Sequence, residues 1–218
     1  MLEKLRPPFK RLIAPIARAL VALGLSANAV TIIGAVGTIL AAIATGITGW
    51  LIPGAVVLAV LAAFDSLDGS VAALTTGGTK FGAFLDSTLD RIADWAVLFA
   101  VVLYFLLHGG MSIASGSISS DDIVGWIGIG ASLYAMMTSF VTSYARARAE
   151  SVGYEAKNGI ATRSDRLVII LVGMLFAGIF HDSRWMMAFV VILAVLGTIT
   201  VFQRIFEVRR QMKADGAI

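Results

Sequence analysis

The chain has 218 residues, of which 58% are hydrophobic and only 14% are charged, whereas an average soluble domain has about 45–50% apolar and about 25% charged residues. So few charges cannot cover the surface of a soluble protein of this length, which excludes a soluble enzyme, a disordered chain and a nucleic-acid-binding domain. The sequence contains no cysteine, which excludes a disulfide framework, a zinc–thiolate site and a thiol nucleophile. These values predict an all-α, polytopic membrane protein with a single domain over residues 1–218.

The N-terminal segment is basic and contains Pro7, Pro8 and Pro15. Residues 9–22 are predicted to form an amphipathic helix that lies on the membrane surface. A helix needs about 20 mainly apolar residues to span a bilayer. Six segments predict transmembrane helices within residues 30–205: 30–49, 52–74, 83–107, 124–145, 167–181 and 185–205.

The basic residues predict the orientation of these helices, because Lys and Arg concentrate in cytoplasmic loops. Of the 17 basic residues, all except Arg184 lie on the side that holds both termini. Trp50, Trp126 and Trp185 fall at span ends on the opposite side, as residues of an interfacial belt do. The sequence therefore predicts a multi-pass protein of the cell membrane with both termini in the cytoplasm.

Five aspartates lie inside two predicted spans, where charged side chains are rare and usually functional. Residues three or four apart share one helix face, and the two antiparallel spans place both sets at similar depth. Facing helices would therefore bring four or five carboxylates into one pocket near the cytoplasmic side. The second span carries Asp65 and Asp68, and the third carries Asp86, Asp90 and Asp94.

Carboxylates packed this closely repel one another unless some are protonated or a multivalent cation binds them. Oxygen ligands without nearby His or Cys suit Mg²⁺, Mn²⁺ or Ca²⁺ rather than zinc, and two ions sharing carboxylates would match a phosphoryl-transfer centre. Asp94 is expected to pair with Arg91 or with a basic residue on another span. A cation-coupled transporter is the alternative, although transporters tend to spread acidic residues along a path. The predicted metal ligands are Asp65, Asp68, Asp86 and Asp90.

Glycines adjoin these aspartates where a ligand could approach the backbone closely. Gly69 follows Asp68 directly, and Gly82 lies one helical turn before Asp86. Lys80, in the link between the two spans, is expected close to where phosphate groups would lie.

The segment from residue 65 to residue 90 resembles the signature of the CDP-alcohol phosphotransferase family, D-x-x-D-G-x-x-A-R-x₇₋₈-G-x-x-x-D-x-x-x-D. It reads DSLDGSVA over residues 65–72 and GAFLDSTLD over residues 82–90. Ala73 stands where the family has an arginine, which is expected near the nucleotide or diphosphate. The segment LSANAVT is similar to a second family pattern, with Ala27 in place of proline. That similarity implies that Asn28 and Thr31 border the nucleotide pocket.

Two further segments, SYARARAE at 143–150 and TRSDRL at 162–167, are similar to the actinobacterial phosphatidylinositol phosphate synthases of that family. In those enzymes, basic residues of the fourth, fifth and sixth spans bind the phosphate of the acceptor. The matching positions in this chain are Arg146, Arg163 or Arg166, and Arg204.

The resemblance implies transfer of the phosphatidyl group from CDP-diacylglycerol to inositol 1-phosphate, which yields phosphatidylinositol phosphate and CMP. It also implies two Mg²⁺ or Mn²⁺ ions, a homodimer among membrane lipids, and an active site that faces the cytoplasm. Asp90 is the expected general base, because it is last in the signature and nearest the metal edge. Glycerol 3-phosphate is the alternative acceptor, as for a phosphatidylglycerophosphate synthase. The expected donor contacts are Asn28, Thr31, Gly69, Lys80 and Gly82, and the external His108 and His181 are expected to be bystanders.

Overall fold

The computed structural model describes residues 6–64, 67–75, 77–109 and 120–217, and every regular element in these ranges is an α-helix. This observation confirms the all-α class for the part of the chain that is described. The helices are α1 (Arg6–Ala22), α2 (Ala27–Thr48), α3 (Leu51–Phe64), α4 (Leu67–Leu74), α5 (Lys80–His108), α6 (Ser120–Ser151), α7 (Arg163–Phe180) and α8 (Ser183–Ala214).

Five segments of the described chain are long and apolar enough to cross a membrane: α2, the α3–α4 segment, α5, α6 and α8. The predicted fifth span corresponds to α7, which is not among them because its 18 residues include Arg163, Asp165 and Arg166. The helices therefore support a multi-pass membrane protein, whereas the count of six spans stays a prediction. The predicted span 52–74 corresponds to α3 and α4, and residues 65–66 between them lie outside the described part of the chain.

Helix α1 contains the predicted interfacial segment 9–22 and begins earlier, at Arg6. It packs against α4, and the contact buries Ala17, Leu67 and Val71 in a small apolar cluster. The contact places α1 beside the α4 helix that carries Asp68 and Gly69. Its position on a membrane surface stays a prediction.

Helix α5 lies at the centre of the bundle, where it packs against α2 on one side and α6 on the other. Val101 and Phe105 are buried in the core. Gly46 of α2 lies directly against the backbone of Ala100, and Gly128 of α6 lies against the Phe105 ring. A Cβ atom at either glycine would clash, so small residues at these contacts allow the helices to approach closely.

The starts of α2, α5 and α7 meet the ends of α4, α6 and α8 at one end of the bundle. Arg204 of α8 donates to the carbonyl oxygen of Thr142 in α6 and to that of Asn158 in the α6–α7 connection. Arg163, at the start of α7, pairs with Asp90 near the start of α5. These contacts bring the predicted site residues of four helices to the same end.

Candidate active site

A cavity of about 500 Å³ lies between α1, α2, α4 and α5. The end of α1 contributes Val21 and the α1–α2 turn contributes Leu25, and sequence reasoning missed both because only the packing of α1 on α4 brings them there. Lys80 is exposed at the first residue of α5 and is not among the described residues that line the cavity. The other four predicted donor contacts line it together with a predicted metal ligand: Asn28, Thr31, Gly69, Gly82 and Asp86.

Two helix N-termini border this cavity. The Ser26 hydroxyl caps α2 by accepting from the backbone N–H of Ala29 at 3.2 Å, and the Thr79 hydroxyl caps α5 by accepting from that of Gly82 at 2.9 Å. The N-terminus of a helix carries a partial positive charge and backbone N–H groups that suit an anion. The cavity therefore has the electrostatics of a phosphate or diphosphate site.

The two glycines of the cavity differ in what surrounds them. A Cβ atom added at Gly69 would meet no heavy atom within 4 Å, so the missing side chain leaves open space. At Gly82, an added Cβ would lie 3.0 Å from Asn28 Oδ1 and 3.1 Å from Thr79 Oγ1. Gly69 therefore leaves room for a ligand, whereas Gly82 lets α5 begin close to Asn28.

The aspartates of α5 form a stripe that connects this cavity to a second one. Asp86 lines the first cavity, while Asp90 and Asp94 line a smaller cavity of about 30 Å³ together with Arg163. Thr31 lines both cavities. Because successive members are four residues apart, the three carboxylates share one face of α5.

Of the four predicted metal ligands, the structure describes the side chains of Asp86 and Asp90. Asp65 lies outside the described residues, and the structure describes the Asp68 backbone in α4 but not its side chain. In the described chain, no three or more His, Cys, Asp or Glu side chains form a group that could hold a metal. The carboxylates of Asp86 and Asp90, one turn apart on α5, fit the oxygen ligands that Mg²⁺ and Mn²⁺ prefer.

Two arginines of α7 pair with the aspartates of α5. Arg163 Nη2 lies 2.9 Å from Asp90 Oδ1, and its Nε lies 3.2 Å from Asp94 Oδ1. Arg166 Nη2 lies 2.8 Å from Asp94 Oδ2. The prediction that Asp94 pairs with a basic residue of another helix is confirmed. Arg91 lies near Asp90 instead, at 3.7 Å.

Four arginines gather beside these ion pairs. Arg204 is buried and lies within electrostatic range of Arg146, Arg166 and Arg91. The structure thus brings together three of the predicted acceptor contacts and adds Arg91, which the sequence marked only as a topology charge or a partner of Asp94. Their combined positive charge, which Asp90, Asp94 and Glu150 offset in part, would attract an anion to this region.

Two of these arginines are held by backbone carbonyl groups of the α6–α7 connection. Arg166 Nη1 donates to Ala161 O at 3.3 Å, and Arg204 Nε donates to Asn158 O at 3.0 Å. Arg146 is exposed and pairs with Glu150 of its own helix at 2.9 Å. Arg166 and Arg204 are therefore fixed in place, whereas Arg146 faces solvent.

The histidines lie at the opposite end of the bundle, where His108, His181 and Trp50 line a separate cavity. His108 Nε2 lies 2.9 Å from the Ile47 carbonyl oxygen. That these histidines take no part in the chemistry stays a prediction. Ala73, at the position where the family pattern has arginine, is exposed on α4.

A family model described as CDP-alcohol phosphatidyltransferase matches residues 24–202, which include the aspartates of α5 and the arginines of α7. The chain belongs to this family. It is therefore an enzyme of the class that transfers phosphatidyl groups.

Curated relatives match most of the chain. Phosphatidylinositol phosphate synthase of Mycobacteroides abscessus is 38% identical over 210 residues, which cover 94% of this chain and 86% of that protein. Archaetidylinositol phosphate synthase of Methanothermobacter thermautotrophicus is 37% identical, with 98% of this chain and 96% of that protein covered. Both relatives are named as synthases of a lipid that carries inositol phosphate.

Solved structures agree with the fold. The crystal structure of Mycobacterium tuberculosis phosphatidylinositol phosphate synthase with CDP-DAG bound has a TM-score of 0.80 and 34% identity, covering 91% of this chain and 94% of that one. The same enzyme in complex with manganese and citrate has a TM-score of 0.78, with 89% and 88% of the two chains covered. The Mycobacterium tuberculosis enzyme thus holds CDP-DAG in one structure and manganese in the other.

Proposed function

We propose that this protein transfers the phosphatidyl group from CDP-diacylglycerol to inositol 1-phosphate and releases CMP. The observation that carries the proposal is the acidic stripe of α5. Asp86 lines a cavity bordered by two helix N-termini, and Asp94 pairs with arginines beside the Arg204 group. One helix face thereby connects a site suited to a diphosphate with a site suited to an anionic acceptor.

The donor occupies the cavity between α1, α2, α4 and α5. Its diphosphate lies against the N-termini of α2 and α5, with Asn28, Thr31 and Gly82 around it, and the open space at Gly69 accommodates the ligand. Lys80, exposed at the start of α5, attracts the anionic donor from the rim. The acyl chains remain in the bilayer, because the cavity lies at the end of apolar helices.

The acceptor phosphate binds the arginines at the other end of the stripe: Arg146, Arg163, Arg166 and Arg204. Charge-assisted hydrogen bonds from guanidinium groups to phosphate are short and strong. Arg166 and Arg204 are already oriented by carbonyl oxygens, so binding requires little reorganisation of these side chains. The phosphate-bearing acceptor is thereby held on the α7 side of Asp90.

The reaction is a displacement at the β-phosphorus of the donor. A hydroxyl oxygen of inositol 1-phosphate forms a bond to that phosphorus, the bond from the β-phosphorus to the bridging oxygen breaks, and CMP leaves with that oxygen. Asp90 accepts the proton of the attacking hydroxyl group as the general base. The step needs no nucleophile from the protein, in keeping with the absence of cysteine.

The acidic residues Asp65, Asp68, Asp86 and Asp90 would hold two Mg²⁺ or Mn²⁺ ions. When bound, such ions neutralise the negative charge of the diphosphate and of the departing CMP. We further propose six membrane spans around one domain, an active site and both termini that face the cytoplasm, and a homodimer in the cell membrane.

The test is an acceptor screen with the full-length protein in detergent micelles that contain CDP-diacylglycerol and Mg²⁺. We expect CMP release with inositol 1-phosphate, a product of the mass of phosphatidylinositol phosphate, and loss of both in EDTA. Addition of excess Mg²⁺ or Mn²⁺ should restore the activity. Full activity in metal-free buffer would contradict the metal site.

The same screen separates the alternatives. CMP release with glycerol 3-phosphate but not with inositol 1-phosphate would assign the enzyme to phosphatidylglycerophosphate synthesis. Ion flux in sealed vesicles without CMP release would identify a cation-coupled transporter. If the protein shows neither CMP release nor ion flux, a scaffold role remains.

A further inference from the structure

Asp94 is the acidic residue of the α5 stripe that the family pattern does not contain. It lies one turn beyond Asp90, and its side chain is 20% exposed. Oδ1 accepts from Arg163 Nε at 3.2 Å, and Oδ2 accepts from Arg166 Nη2 at 2.8 Å. Each carboxylate oxygen therefore serves a different arginine of α7.

The remaining contacts of these arginines show what Asp94 determines. Arg166 is only 7% exposed, and besides Asp94 it donates to the Ala161 carbonyl oxygen. Removing the carboxylate partner of a buried guanidinium leaves an uncompensated charge, which is strongly destabilising. The guanidinium therefore keeps the orientation in which it contacts that carboxylate. Asp94 thus sets where the Arg166 guanidinium lies relative to Arg204.

Arg163 is held differently, because two N–H groups on one edge of its guanidinium contact two different carboxylates. Its Nε points to Asp94, and its Nη2 lies 2.9 Å from Asp90. An arginine edge with neighbouring Nε and Nη2 groups can otherwise bind one carboxylate with two parallel hydrogen bonds. By accepting from Nε, Asp94 prevents Arg163 from forming that bidentate pair with Asp90.

We propose that Asp94 is a positioning residue for the acceptor phosphate. It orients Arg163 and Arg166 so that both contribute to one anion site beside Arg204, and it keeps Arg163 from enclosing Asp90. This inference rests on the proposed function, since it concerns the same acceptor. Asp94 itself touches neither substrate, and its effect on the reaction passes through the two arginines.

The test compares Asp94→Asn with the wild type in steady-state kinetics. Asparagine has the same shape but no charge, so we expect the KM for inositol 1-phosphate to rise at least about tenfold and the KM for CDP-diacylglycerol to change less than about twofold. Glu207→Gln is the matched control, because it removes a carboxylate paired with exposed Arg210. This control should change neither KM.

A second comparison distinguishes positioning from a general contribution to stability. In an Arg163→Gln/Arg166→Gln background, Asp94→Asn should raise the acceptor KM no further, because the side chains it positions are gone. Asp94→Glu keeps the charge but moves it by one methylene, so it should give an intermediate acceptor KM in a normally folded protein. Equal increases in both KM values, or fully additive effects, would overturn the proposal.

Calorimetric titration of the protein with inositol 1-phosphate measures the acceptor site without turnover. Weaker binding to Asp94→Asn than to the wild type supports the proposal, whereas equal affinity of the two proteins overturns it. Failure of the proposed function has a different signature. The wild type would then release CMP with another anionic acceptor, and the Asp94 comparison made with that acceptor would still decide the positioning role.

Discussion

Arg163 of α7 donates from Nη2 to Oδ1 of Asp90 on α5 over 2.9 Å. The pair joins the residue that we propose as general base to a residue that we propose for the acceptor phosphate. Asp90 is largely buried, with a 15% exposed side chain, and Arg163 is 37% exposed. Arg163 is therefore the more accessible member of the pair for an incoming anion.

The first prediction concerns Asp90→Asn. Asparagine cannot accept the proton of the attacking hydroxyl group, so we expect kcat to fall by about 10²–10⁴-fold, the usual contribution of a general base. Binding of CDP-diacylglycerol should remain, because the first cavity is lined by Asp86 rather than Asp90. Single-turnover CMP release measures the chemical step. Asp215→Asn, in the exposed turn after α8, serves as the control, and a turnover near that of the wild type would remove Asp90 from the mechanism.

The second prediction compares two glycines that both lie in helices. Gly69→Ala adds a methyl group in open space beside the donor cavity, so we expect normal thermal stability and a several-fold higher KM for CDP-diacylglycerol. Gly128→Ala places a methyl group against the Phe105 ring and should lower the thermal unfolding midpoint, because overpacking typically costs about 1–3 kcal/mol. Differential scanning fluorimetry and donor kinetics of both variants provide the measurement. A stability loss in Gly69→Ala with an unchanged donor KM would show that the cavity does not bind the donor.

Much of this arrangement could be predicted from local sequence features. The long apolar segments identified the helices, and the spacing of Asp86, Asp90 and Asp94 identified their shared face on α5. Asn28, Thr31, Gly69 and Gly82 were expected in one pocket, and they line one cavity. These features are readable because they depend on helical periodicity and on short-range patterns.

Other features depend on how distant segments pack, and sequence patterns did not reveal them. Arg163 can contact both Asp90 and Asp94 only if the start of α7 lies beside the turn of α5 that carries them. Arg91 joins the arginine group because the fold brings the start of α5 within electrostatic range of Arg204 on α8. Helix α7 begins at Arg163, four residues before the predicted span 167–181, because Thr162 and Asp165 form a capping box at its start.

The third prediction concerns Ala73, where the family pattern has arginine. The side chain is exposed on α4, the helix whose Gly69 and Ala72 line the donor cavity. An arginine there has room to extend without disturbing the core, so Ala73→Arg should strengthen donor binding or raise turnover. Donor kinetics check this expectation, with Ala73→Gln as a control for side-chain length without charge. Unchanged affinity and rate would show that this enzyme holds the diphosphate by other contacts.

The last prediction uses Arg146, because its side chain can be removed without loss of a buried hydrogen bond. Arg166 and Arg204 bind backbone carbonyl oxygens, so their variants would combine effects on folding with effects on binding. Arg146 is exposed, pairs with Glu150 and lies within electrostatic range of Arg204. Each charge-assisted hydrogen bond contributes about 1.5–3 kcal/mol. Arg146→Gln should therefore raise the KM for inositol 1-phosphate by about 10–100-fold and leave the KM for CDP-diacylglycerol nearly unchanged.

Arg148→Gln is the matched control for this measurement. Arg148 is also exposed on α6, but two residues along a helix lie on nearly opposite faces, and its guanidinium donates to Ser151. A charge that serves only membrane topology would have the same small effect at either position. If the two variants change the acceptor KM equally, or if Arg146→Gln raises both KM values together, the acceptor phosphate binds elsewhere. If only Arg146→Gln raises the KM for inositol 1-phosphate, the acceptor phosphate binds at the exposed edge of the arginine group. The buried arginines of that group, Arg166 and Arg204, would then contribute to the same phosphate site.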